Sequence, residues 1–114
     1  MSVIKRNQYV LKILSEGDPK TTKYIIQGAD KQLLHCFVDC AHNILEGNIP
    51  LSEKEKKRLG KYKKELRSLR KLTSEKTKKK ILQKGGFLPA LLAPILGTVI
   101  PPLAQKLVGL FKRR

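Results

Sequence analysis

Acidic side chains are scarce in this sequence. Nine Asp and Glu stand against 25 Lys and Arg, for a net charge of +16 over 114 residues. No two carboxylates sit at a spacing suited to general acid–base work. No nucleophile–base pair and no glycine-rich phosphate loop appears, so the expectation is a non-enzyme without a cofactor. Cysteine is almost missing too: Cys36 and Cys40 are the whole complement. Their spacing puts both on one face of a helix, where a disulfide would need distortion, which points to a reduced, intracellular setting. His35, Asp39 and His42 lie within the same two turns but on another face. With no second Cys/His pair to complete a tetrahedron, no metal site is expected and the thiols read as small core residues. Aromatics number three Tyr, three Phe and no Trp. Tyr62 is alone in the basic region, so no aromatic platform for single-stranded bases is predicted. Met1 to Leu14 lacks a continuous apolar run, and no secretory leader is expected.

What is present is sharply segregated. Residues 1–51 carry six Lys/Arg against five Asp/Glu, residues 52–84 carry fifteen against four, and residues 85–114 carry four against none. The length suits one small domain, whose core is expected to draw on the nearly neutral N-terminal part. The middle stretch calls for an acidic partner, nucleic acid first, because phosphate neutralisation with counterion release favours such runs. The alternative is a solvated helix surface that keeps the protein soluble. Lysines outnumber arginines here, twelve to three. Lysine is a point charge suited to phosphate, whereas bidentate reading of guanine favours arginine, so binding is expected to be sequence-independent.

Periodicity predicts an all-α fold. Residues 3–15 fit a short helix stopped by Gly17 and Asp18-Pro19; Asp18 can equally cap a new helix with proline in its first turn. Residues 30–46 carry Leu33, Leu34, Phe37, Val38, Ala41, Ile44 and Leu45 at helical spacing, ended by Gly47-Asn48 and Pro50. Ser52 with Glu55 makes a capping box for a helix over 52–72, whose seam is Leu59, Tyr62, Leu66, Leu69 and Leu72. A weaker helical stretch runs to Lys84. The expected divisions are therefore 1–72, a helical domain of about three helices; 73–84, a basic linker or helix; and 85–114, an apolar and amphipathic tail.

From Gly85 to Gln105 there is no charge at all. Pro89, Pro94, Pro101 and Pro102 argue against a regular membrane span, and a mostly irregular tail is expected. Leu103–Arg114 reads as an amphipathic segment suited to an anionic interface or, alternatively, to burial in the protein's own core. Candidate docking residues for a membrane or protein partner are Phe87, Leu88, Leu91, Leu92, Ile95, Leu107, Leu110 and Phe111. Gly85 and Gly86 form a candidate hinge or protease-cleavage site; the alternative is a helix C-cap with Gly85 left-handed.

The basic run, Gly85-Gly86 and the following Phe87-Leu88-Pro89-Ala90-Leu91-Leu92-Ala93-Pro94-Ile95 resemble the precursor of the adenovirus core peptide mu (protein X). They also resemble small basic proteins of polinton- and adintovirus-type DNA elements. The resemblance covers about residues 76–100, a fifth of the chain. It implies a viral core protein that condenses double-stranded DNA, resides in the virion core and host nucleus, and is cut after Gly86. The sequence departs from that family in being lysine-rich, in having Gln83 where an aliphatic residue precedes the cut, and in its capped helical region before residue 73. The order of helices also suits a histone-like handshake.

The expected phosphate contacts are Lys54, Lys56, Lys57, Arg58, Lys61, Lys63, Lys64, Arg67, Arg70, Lys71, Lys76, Lys78, Lys79, Lys80 and Lys84. The rival expectation is a membrane-active or capsid-docking protein acting through the tail. Self-association into a homo-oligomer is a further expectation.

Overall fold

A computed structural model describes residues 2–71 and 74–99. Among them are eight helices and no strand: α1 (Ser2–Arg6), α2 (Gln8–Ser15), α3 (Pro19–Gln27), α4 (Lys31–Leu45), α5 (Glu53–Gly60), α6 (Lys63–Arg70), α7 (Glu75–Leu82) and α8 (Phe87–Val99). The all-α expectation holds, with the helices shorter and more numerous than periodicity suggested.

Local signals explain most of the starts and stops. Asp18 caps α3 rather than merely ending α2: its carboxylate accepts from the Thr21 amide at 2.9 Å, and Pro19 occupies the first helical position. Asp30 caps α4 in the same way, accepting from the Leu33 amide at 2.8 Å. Gly47, at φ +76°, makes the expected left-handed stop. The Ser52 capping box is complete in both directions, at 3.2 and 2.9 Å. These caps satisfy amides that the first turn leaves without partners.

The single helix expected over 52–72 is instead two, α5 and α6, parted at Lys61-Tyr62 just after Gly60. Glycine is the weakest helix former in that stretch, and breaking there lets two seams diverge. α5 packs on α8, with Leu59 buried; α6 packs on α4, with Leu66 and Leu69 buried. Asn7 divides the N-terminal helix similarly, its side-chain amide donating to the Val3 carbonyl at 2.7 Å.

The main correction concerns the tail. Residues 87–99 are not irregular but form α8, which packs against α2, α4, α5 and α7. Phe87, Leu91, Leu92 and Ile95 are fully buried and Leu88 is 1% exposed. Pro89 lies in the first turn, where amides have no intrahelical acceptor, so it removes no bond. Pro94 alone lies inside the helix. It gives up one bond, at about 3 kcal/mol or more. Each of the five buried side chains gains about 1.5–3 kcal/mol. Burial wins. The core therefore joins Leu11 and Leu14 of α2 and Phe37, Cys36, Cys40 and Ala41 of α4 to the apolar segment that follows the lysines.

Candidate nucleic-acid interface

The basic stretch folds as α5, α6 and α7, each touching the core along a thin strip. Leu59 is the buried residue of α5, Leu66 and Leu69 those of α6, and Leu82 that of α7. Everything else on these helices is free to carry charge. The four carboxylates of residues 52–84 are Glu53, Glu55, Glu65 and Glu75, and every one lies in a first helical turn. There they complement the helix dipole or close a capping box. The acids are thus used in starting helices, while Lys57, Arg58, Arg67, Arg70, Lys79 and Lys80 occupy last turns, where cations are favoured.

Of the fifteen expected phosphate contacts, Lys54, Lys56, Lys57, Arg58, Lys61, Lys63, Lys64, Arg67, Arg70, Lys71, Lys76, Lys80 and Lys84 are exposed, and Lys78 and Lys79 are half-buried. Among the described residues, four of them have a partner within the chain. Lys56 pairs with Glu53 at 3.6 Å, Arg70 with Glu46 at 3.0 Å and Lys84 with Glu65 at 2.8 Å. The Lys79 ammonium donates to the Gln27 carbonyl at 2.9 Å. The Lys84 hydrogen bond holds the Glu65 carboxyl below its ordinary range.

Lys79 and its neighbours bring α7 against α3, and with it two cations from the neutral N-terminal part, Lys20 and Lys23, both exposed. An open cleft of about 290 Å³ at this junction is lined by Pro19, Thr22, Lys23, Lys84, Gly85, Gly86 and Pro89, among others. Sequence reasoning missed Lys20 and Lys23, because nothing in the linear charge pattern links them to residues 76–84.

Gly85 and Gly86 lie in an exposed turn between α7 and α8. The left-handed residue is Gly86, at φ +80°, not Gly85. A Cβ on Gly86 would stand 2.8 Å from the Tyr62 hydroxyl. That hydroxyl donates to the Gly85 carbonyl at 3.0 Å, and the Tyr62 ring meets Phe87 edge-on, centroids 5.5 Å apart at 75°. Tyr62 therefore fastens the turn from outside. A protease cleft takes extended backbone, so cutting after Gly86 would require this turn and the adjoining ends of α7 and α8 to open. Gly17, at φ +78°, is crowded less severely: its Cβ would meet the Pro89 ring at 3.0 Å.

Phe87, Leu88, Leu91, Leu92 and Ile95, expected as docking residues, are core side chains here and present nothing to a bilayer or a partner. Leu107, Leu110 and Phe111, with the whole amphipathic segment 103–114, lie outside the described residues, as do Leu72 and Thr73. No helix among the described residues is long and apolar enough to cross a membrane.

Cys36 and Cys40 are free and fully buried in α4, while His35 and His42 are exposed. The hydrogen bond that the Cys40 thiol donates to Cys36, and then burial, push the Cys40 thiol well above its ordinary value. Among the described residues no three His, Cys, Asp or Glu side chains converge to hold a metal ion. No protein-family model, curated protein or solved structure matches this chain.

Proposed function

We propose that the protein binds and condenses double-stranded DNA without sequence specificity, acting as a core protein of a virus-like particle and not as an enzyme. The observation that carries the reading is the division of labour in residues 52–84. The carboxylates there start helices, the leucines anchor them, and thirteen of fifteen cations are exposed. Such a surface repels itself until a polyanion neutralises it, and counterion release then supplies most of the affinity. The viral setting rests on the resemblance of residues 76–100 to the mu precursor.

Duplex binding measured across a salt series tests the proposal. If about ten cations each neutralise a phosphate, the log–log slope is about −9. A slope near zero overturns it. The rival reading, a membrane-active or capsid-docking tail, gains nothing from α8, whose apolar side chains are spent on the core.

A further inference from the structure

We infer that the α3–α7 side of the molecule binds unpaired nucleotides, with Tyr24 stacking on a base while flanking lysines take the phosphates. The inference rests on the nucleic-acid reading above and adds a second substrate class to it. Tyr24 is 84% exposed, more than any other large hydrophobic side chain among the described residues. A solitary exposed tyrosine carries no message by itself. Its setting does. Lys20 lies one turn earlier on the same side of α3, and Lys23 is adjacent in sequence. The Lys79 ammonium is tied to the Gln27 carbonyl, which places α3 beside the lysines of α7, and Lys23 shares a cleft with Lys84. An aromatic face among cations is the combination that holds single strands: every base has a face to stack, and the backbone follows the charge. A duplex keeps its bases stacked inside and offers this ring only phosphates. Positive charge at Lys20 and Lys23 favours nucleic acid over an apolar protein partner for the same ring.

The test uses the full chain with four probes of equal length: oligo-dT, oligo-rU, a mixed-sequence duplex and an abasic oligonucleotide. Tyr24→Ala should weaken oligo-dT and oligo-rU binding about 5- to 100-fold, the loss expected from one base–aromatic stack. Duplex and abasic binding should change less than about twofold, since phosphate contacts remain. Tyr24→Phe should restore the single-strand affinity. Ile13→Ala, a control at a 46% exposed apolar side chain on α2 with no ring to stack, should leave all four unchanged. Equal losses on every probe, or no loss on the single strands, overturn the stacking inference while salt-dependent duplex binding leaves the parent proposal standing. A wild-type chain that binds none of the four overturns both. Because Tyr24 is solvent-facing, its substitution leaves the fold intact, which a thermal melt of each variant checks.

Discussion

α8 and the α5–α7 region are neighbours in sequence and opposites in environment. The thirteen residues of α8 carry no charge, and five of its large side chains are buried to within 1%. Residues 52–84 before it carry eleven of the sixteen net positive charges and reach the core through four leucines. In the sequence this contrast looks like a border between a polyanion-binding part and a membrane- or partner-seeking part. In the fold it is a border between solvent and core. The basic helices are short of apolar surface; α8 supplies it to α5 and α7 while α4 supplies it to α6, so the segment that seemed to need an outside partner helps to hold the charged helices in place. Burial within one chain has to be considered before a hydrophobic run is assigned to a membrane.

The sharpest way to break this comparison is to cut into α8. Leu91→Ala should cost about 2–5 kcal/mol of stability in a urea titration, the range for a buried leucine. A cost below about 1 kcal/mol would mean that α8 is not a core helix. Next in size is the turn joining the two regions. Gly86→Val combines a left-handed φ with a clash against the Tyr62 hydroxyl and should cost roughly 1–3 kcal/mol. Gly85→Ala, with open space around its Cβ position, should stay within about 0.5 kcal/mol. Equal effects at the two glycines would contradict the assignment of the left-handed residue.

Tyr62→Phe removes the hydroxyl donated to Gly85 but keeps the ring on Phe87, so a loss of about 0.5–1.5 kcal/mol is expected. In that background Gly86→Ala should be milder than in the wild type, because the clashing oxygen is gone; strict additivity would argue against the contact. The smallest effect belongs to Glu65. Its carboxyl is held below the ordinary range by Lys84. The pair therefore contributes stability above that range and loses it as pH falls through the lowered value. Between about pH 5 and pH 3, wild type should lose more stability than Glu65→Gln, by less than about 1 kcal/mol and less still in high salt. A difference of opposite sign would remove the pair from the account.

Most of what was legible in the sequence is encoded within one or two helical turns. The caps at Asp18 and Ser52 depend on a side chain and an amide three residues apart, and each is found where the local pattern put it. The buried stripe of α4 follows from apolar spacing, and the exposure of the lysines from the cost of desolvating charge. What only the tertiary structure decided depends on residues distant in the chain. Arg70 meets Glu46, 24 positions away, and Lys79 meets Gln27, 52 positions away. No local pattern predicts either. The break at Tyr62 follows from two seams finding different partners, and Lys23 joins the basic side only because α3 packs on α7. For residues 87–99 the sequence by itself determined that the segment leaves water, since nothing in it is charged. A helix apolar on nearly every side has no polar face to set its orientation, so whether it enters a bilayer, a partner or its own core is decided by which surface it can reach. Here the reachable surface was α2 and α4, and their burial of α8 outweighed the bond lost at Pro94.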